Sequence, residues 1–350
     1  MSRPTLSAVA SRAGVSVSTA SIAFSGSGPI ADATRERVLD AARELGYTGP
    51  SPLGRQLRSG RSGIVGVVVG DHVSRTFRDP VAVRVLDGLV SELGAAGLGV
   101  LLIPGIGQDT DPLLQTAAMD VAVLVWGARS DDPTYAALET RGLPVVIGEG
   151  APRPGVPLVA IADREGTAAL GRHVVGLGHE RVAAVALPFG CSPEHTGLAD
   201  ADRVARAART PTRNRLDGLT DAGITPVAVW EADASLVEEG RAAGLALLDV
   251  PAERRPTAVL AQSDLLAAGV LLAAHDLGLR VPEDVSVAGF DGVDLPWLGA
   301  DRLTTVRQPL EGKGTALGRA VVALLAGEEP GSVVLDVELS PGTTTGPAPR

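Results

Sequence analysis

Gly14-Val15-Ser16, set between two short segments of helical apolar spacing, commits the start of this chain to two helices joined by a tight turn. Upstream, Thr5 suits an N-cap, and Leu6, Val9, Ala10 and Ala13 recur on one helical face. Gly14 supplies the positive φ that a helix end requires, and Val15 is expected to be buried in the turn. Ser16 can cap a second helix through Thr19, Ala20, Ala23 and Phe24, which Gly26, Gly28 and Pro29 then break. A third helix fits Asp32 to Leu45, with Val38, Leu39, Ala42 and Leu45 as its apolar stripe and Gly46 as its stop. Three short helices with so tight a first turn read as a helix-turn-helix.

Charge is distributed in a way that gives this head a partner. The 350-residue chain carries a net charge of −10, yet residues 1–62 hold eight arginines against four acids, a local +4 that leaves −14 for the rest. A basic head on an acidic body is expected when one module meets phosphates and the other does not. A solvated helix face accounts for Arg35 to Glu44 but not for Arg55, Arg58 and Arg61. Gly49-Pro50-Ser51-Pro52 is a linker by composition, and Leu53 to Arg58 makes little more than one helical turn. Nucleation cost leaves so short a helix stable only against a partner.

From Ile64 the texture changes to alternating strands and helices. Ile64 to Val69, Gly99 to Ile103, Val121 to Val125 and Val145 to Ile147 read as one strand series. Val182 to Leu187, Val227 to Trp230, Ala258 to Ala261 and Val285 to Ala288 read as a second, with amphipathic stretches between. This predicts an all-α head followed by an α/β body of two doubly wound parallel-sheet subdomains, with a ligand cleft at the strand ends between them. The boundaries expected are 1–48 for the head, 49–62 for a hinge and 63–340 for the body. Within the body, 63–161 plus 292–325 would form one subdomain and 162–291 plus 326–340 the other. The tail, 341–350, is read as disordered from its Pro, Gly and Thr content.

Other classes are weakened by what the chain lacks. No long apolar run suggests a membrane span, and Arg3 and Arg12 occupy the place of a signal peptide's apolar core, so a cytoplasmic protein is expected and an exported solute-binding protein disfavoured. Cys191 is the single cysteine, which excludes an intrachain disulfide. Its C-x-x-x-H spacing to His195 falls in a Pro- and Gly-rich stretch that reads as a loop, so no metal site is expected. Without a P-loop, a G-x-G-x-x-G after a strand or a G-x-S-x-G, an enzyme or a bound cofactor is not expected either. His173 and His179 read as structural residues of a helix and a turn.

Thr5-Leu6-x-x-Val9-Ala10-x-x-Ala13-Gly14-Val15-Ser16-x-x-Thr19-x-Ser21 closely resembles the DNA-binding head of the LacI/GalR transcription regulators, as do Thr34-Arg35-x-Arg37-Val38 and Leu45-Gly46-Tyr47. Gly178-His179-Glu180-Arg181-Val182, Val281 to Asp291 and Leu303 to Pro309 resemble that family's effector-domain signatures, in the family's order along the whole chain. The resemblance implies a homodimeric regulator, a repressor by preference, whose two heads read a pseudo-palindromic operator. It places Val17, Ser18 and Ile22 against base edges, and Thr5, Ser16, Thr19, Ser21 and Ser25 against phosphates, with Leu6 and Arg55 completing the DNA-facing set. Leu57 matches the hinge leucine that wedges between base pairs. Three positions depart from the pattern, one of them, Ala8 in place of a common acid, neutral for function. Ile22 stands where arginine is common, which exchanges a bidentate reading of guanine for apolar contact. Gly54 replaces the usual hinge alanine, at about 1 kcal/mol of helix propensity.

For the effector, the resemblance points to Arg215 and Asp291, with Ser263-Asp264 where an Asn-Asp pair is common; Glu149 and Asp71 at strand ends are rim acceptors. An arginine among acids also describes a structural ion pair, so both readings of Arg215 stand. A sugar is the effector class the family implies, although aromatics are only 3% of the chain and Ala234 lies where some sugar-binding relatives carry tryptophan. Trp230 and Trp297 are the candidate stacking platforms. The tail has no leucine heptad of the kind that tetrameric relatives carry, so a dimer is expected.

Overall fold

The computed structural model describes residues 4–26, 28–49, 60–70, 73–105, 111–126, 133–190, 195–299 and 301–349, which fall into two compact units, 1–63 and 64–350.

In the first unit, α1 (Leu6–Ala13), α2 (Val17–Ser25) and α3 (Asp32–Glu44) enclose a core of Val9, Ala10, Ala20, Ala23, Val38, Ala41 and Ala42. Alanine-rich contacts let three short helices approach closely, and the Phe24 ring meets Tyr47 edge-on at 5.5 Å to close one side. Gly14 ends α1 with φ 68°, the left-handed conformation that costs glycine least. Three side chains differ from the sequence reading, the first being Leu39, which is half-buried and outside the core cluster. Leu45 is 37% exposed because α3 ends at Glu44 and the chain turns away at Gly46 (φ 66°), so Ala41 takes its place in the core. Val15 is half-buried, packed against the cluster from its edge.

The second unit is built on two sheets. The first contains β1 (Ile64–Val69), β2 (Gly99–Pro104), β3 (Val121–Leu124), β4 (Val145–Gly148) and β5 (Leu158–Ile161). The second contains β6 (Val182–Ala186), β7 (Gly197–Ala199), β8 (Ala228–Glu231), β9 (Ala258–Ala261) and β10 (Ser286–Ala288). β11 (Thr305–Arg307) pairs antiparallel with β13 (Glu338–Ser340), and β12 (Val333–Leu335) returns to the first sheet beside β5. The orders are β12-β5-β4-β3-β1-β2, all parallel, and β10-β9-β6-β8-β7, parallel except for β7 against β8. The placement of β12 corrects the expected boundary, which gave 326–340 wholly to the second subdomain. Its short apolar Val333-Val334-Leu335 run pairs with the first sheet's edge before β13 crosses back.

Helices cover both sheets. Those used below are α4 (Val73–Thr76), α5 (Pro80–Ala95), α6 (Pro112–Thr116), α7 (Pro133–Thr140), α8 (Asp163–Gly176), α9 (Ala201–Ala205), α10 (Thr210–Asp221), α11 (Val237–Leu248), α12 (Asp264–Asp276) and α13 (Leu310–Ala326). α12 is buried nearly all round, and its Gly269 faces Gly240 of α11 so closely that a Cβ on either would run into the other helix's backbone. α5 and α13 make the same kind of contact on the first sheet through Gly88 and Gly314.

The tail is ordered, contrary to expectation. Val287 N–H donates to Thr344 O at 2.8 Å, His179 Nε2 meets Gly346 O at 2.9 Å, and Ala348 N–H donates to Leu177 O at 2.9 Å. Its composition disfavours a helix or strand of its own, but the second subdomain's unpaired backbone groups give each segment a partner. His173 and His179 serve this attachment, bonded to Thr345, Thr257 and Gly346, and burial lowers the pKa of both. Among the described residues no helix is long and apolar enough to cross a membrane, and no cluster of three metal-binding side chains occurs. Cys191 lies outside the described residues, and His195 Nε2 bonds to Leu198 O at 3.0 Å.

Candidate nucleic-acid interface and ligand cleft

Ser16 organises the head's exposed helix start. Its Oγ accepts from Thr19 N–H at 3.0 Å and lies 2.8 Å from the hydroxyls of both Ser18 and Thr19. The N-terminal end of α2 therefore presents hydroxyls at the positive end of the helix dipole, a chemistry suited to a phosphate. Val17, 48% exposed, and Ser18 project from the same first turn. Thr5 caps α1 by accepting from Ala8 N–H at 3.2 Å. Leu6, Thr19, Ser21 and Ile22 are half-buried, and Ser25 is exposed at the far end of α2. Ile22 lies against Gly28, where a Cβ would stand 3.5 Å from its methyls, so only part of its side chain is free to meet a base. Arg55 and Leu57 lie outside the described residues, as do Gly54 and Arg58.

The cleft of the second unit follows from its topology. β1 lies between β2 and β3, and β6 between β8 and β9, so each sheet reverses its winding at its first strand. The carboxyl ends of strands open a crevice at such a point. Here Gly70 after β1, Trp126 after β3, Leu187 and Pro188 after β6 and Ser263 after β9 line one cavity of about 160 Å³.

Four predicted effector residues, Glu149, Arg215, Ser263 and Asp291, line this cavity. Asp264 does not. It is fully buried behind the wall, with Thr305 Oγ1 donating at 2.6 Å to one carboxylate oxygen and Val293 N–H at 2.9 Å to the other. Its place at the start of α12 makes it a brace between that helix and the strands beside it. Asp71 lies outside the described residues. Trp230 and Trp297 are absent from the lining; Trp230 packs into the second subdomain's core and Trp297 is exposed on a short 3₁₀ turn. Trp126 is the aromatic wall instead, and Ala234 faces the cavity from the second subdomain.

Arg215 lines the cavity and is held by several partners. Its Nε donates to Asp163 Oδ1 at 2.8 Å, Nη1 donates to Gln262 O and lies 3.8 Å from Asp291 Oδ1, and the guanidinium stacks 3.7 Å over Phe290. Burial works against its charge, but Asp163, Asp291 and Glu149 outweigh it and raise the pKa. Burial pushes Asp163 up to about 6 despite Arg215, and Asp291 well above the ordinary carboxylate range. Glu149 (φ 52°) and Asp291 (φ 131°) both hold positive φ, a strain of about 1–3 kcal/mol each that tends to gather at ligand sites.

Several polar groups at or beside the cavity escaped the sequence reading. Lys313, the chain's single lysine, is 1% exposed and donates to Glu149 Oε2 at 3.0 Å and Gln308 Oε1 at 2.8 Å. Gln308 Nε2 then donates to Asp291 Oδ1 at 2.7 Å. One lysine in a chain that otherwise uses only arginine was a signal; its burial was not visible. Asp79 caps α5, accepting from Val81 N–H at 2.9 Å, and burial pushes it up to about 6. Its Asp-Pro start carried the cap signal, but nothing in sequence placed it at a cleft. Across that cleft, Arg75 and Arg78 of the first subdomain pair with Asp233 and Glu238 of the second, each at 2.6 Å.

Comparison with known proteins gives the same two-part division. Residues 5–50 match the family model described as bacterial regulatory proteins, lacI family, and residues 172–345 match a periplasmic binding protein-like domain. An HTH-type transcriptional regulator of Mycolicibacterium smegmatis is 33% identical, covering 99% of this chain and 97% of the relative. A solved complex of the transcriptional regulator CelR with cellobiose is 28% identical with a TM-score of 0.68, covering 98% of this chain and 100% of that one. A lac repressor dimer bound to operator and an anti-inducer shares the fold at 23% identity and TM-score 0.78, covering 99% of this chain and 100% of that one.

Proposed function

We infer that this chain, which belongs to the lacI family of bacterial regulatory proteins, is a transcriptional repressor whose operator affinity is set by a small molecule in the cleft. The observation that carries this is the pairing, in one chain, of a hydroxyl-capped helix-turn-helix with a cleft at the switch points of two parallel sheets. The working form is a cytoplasmic homodimer with no catalytic role, reading a pseudo-palindromic operator through two heads. The solved lac repressor dimer on operator supports this arrangement by shared fold.

Val17 and Ser18 read base edges, with part of Ile22; Ser16, Thr19 and Thr5 hold phosphates; Ser21, Ser25, Leu6 and Arg55 support the approach, and Leu57 wedges the minor groove. In the cleft, Glu149, Arg215, Ser263 and Asp291 contact the effector, joined by Gln308, while Trp126 offers a stacking face. The CelR complex holds a sugar, cellobiose, which supports a sugar or sugar derivative here. A ligand touching both subdomains changes their closure, and only its differential affinity for the two closures can shift DNA binding. A gel-shift with the DNA upstream of the chain's own gene tests this. Specific, salt-sensitive binding that a cleft ligand alters is the expected result; no specific complex at any salt concentration would refute it.

A further inference from the structure

Among the buried charged side chains at the cavity and directly behind its wall, acid outnumbers base. Glu149, Asp291 and Asp79 line the cavity and Asp163 and Asp264 are buried behind its wall, while Arg215 in the lining and Lys313 behind it are the buried cations that face them. Both cations are engaged: Arg215 on Asp163 and the Gln262 carbonyl, Lys313 on Glu149 Oε2 and Gln308. At the rim, Arg75 is paired with Asp233 and Arg209 packs over Gly190. Glu149 Oε1, in a side chain 96% buried on a residue that lines the cavity, has no hydrogen-bond partner. A buried carboxylate oxygen without a donor is costly, and the Lys313 ammonium serves its sister oxygen. Burial raises the pKa of Asp163 and Asp291 against the pull of Arg215, and a neighbouring acid, Glu149 for Asp163 and Asp264 for Asp291, adds to the rise.

We propose that the cleft takes a cationic ligand, a small polar molecule whose protonated amine donates to Glu149 Oε1. This rests on reading the cleft as the effector site and adds the ligand's charge class. An ammonium supplies both the missing donor and the missing positive charge; a hydroxyl supplies only the donor, and a carboxylate neither. The test is thermal-shift and calorimetric titration of the full chain at pH 7.5 with two matched sets: glucosamine, glucose and gluconate, then ethanolamine, ethylene glycol and glycolate. The amine of at least one set should bind at least tenfold more tightly than its neutral counterpart. Glu149→Gln should reduce that preference below threefold, and Glu149→Asp, which keeps the charge on a shorter arm, should retain part of it. Equal or tighter binding of a neutral or anionic member, no shift with either amine, or an undiminished preference in Glu149→Gln would overturn the proposal. If a neutral or anionic member binds and alters operator affinity, the regulator reading stands and only the charge class falls.

Discussion

Replacing Lys313 with methionine tests whether the buried charge network holds the cleft together. Methionine keeps the length and helix propensity that α13 needs, so the change is chiefly the loss of one cation. Glu149 Oε2 then loses its 3.0 Å partner while Oε1 has none already, leaving a carboxylate 5% exposed with no countercharge in contact. Removing one partner of a buried ion pair costs about 3–5 kcal/mol, against about 0–1 kcal/mol for a surface pair. At roughly 2 °C per kcal/mol for a body of this size, the melting temperature should fall by about 6–10 °C. Glu149→Gln on the Lys313→Met background removes the stranded charge and should recover at least half the loss. Urea melts of the wild type, both single variants and the double variant give the coupling directly, expected to exceed about 1.5 kcal/mol. A coupling below about 0.5 kcal/mol would show that Lys313 and Glu149 do not stabilise each other, and the account of the cleft floor would fail.

Ser16→Ala removes the α2 cap and should destabilise the head by about 1 kcal/mol while weakening operator binding, read by circular dichroism and gel-shift; an unchanged head melt would deny Ser16 its cap role. Arg78→Glu breaks one of the half-exposed pairs across the cleft, which contributes no more than about 1 kcal/mol, so it should open the body modestly in small-angle scattering. The reversed pair, Arg78→Glu with Glu238→Arg, should restore the wild-type radius, and 1 M salt should mimic the single variant. Asp79→Asn should stabilise the body at pH 7.5 by about 1–2 kcal/mol, with the difference shrinking as pH falls below about 6 and vanishing only below the ordinary aspartate value of 3.8. The sign follows from the raised folded pKa: ionised Asp79 carries a burial penalty above about 6, and the folded state relieves it by binding a proton as pH falls. A difference independent of pH would place the effect in the cap geometry instead.

Local chemistry made the head readable from sequence. Gly14 and Ser16 specify a helix end and a helix start within three residues, and no tertiary partner is needed to enforce either. The continuous apolar runs of β1, β3 and β9 likewise declare strands buried on both faces, and their alternation with helices implies a cleft at strand ends. Of the four cleft residues found, Glu149 follows a strand, and Arg215, Ser263 and Asp291 came from the family resemblance of their motifs.

Tertiary structure decided the remainder. Asp264 and Asp291 look equivalent in sequence, but only packing shows that Thr305 and Val293 occupy Asp264 while Asp291 opens to the cavity. The three-residue strands β11, β12 and β13 are too short for periodicity to reveal, and the tail's backbone finds its partners only in an assembled subdomain. Lys313 is the sharpest case. As a residue in an amphipathic helix it reads as a solvated charge; its burial depends on Glu149 arriving from a distant segment to neutralise it, with Gln308 just ahead of the helix to bond it. Sequence set the helix-turn-helix, the strand alternation and therefore the cleft's existence, because those follow from neighbouring residues. The cleft's charge was set only where distant chain segments meet, because the cost of a buried carboxylate depends on what else is buried beside it.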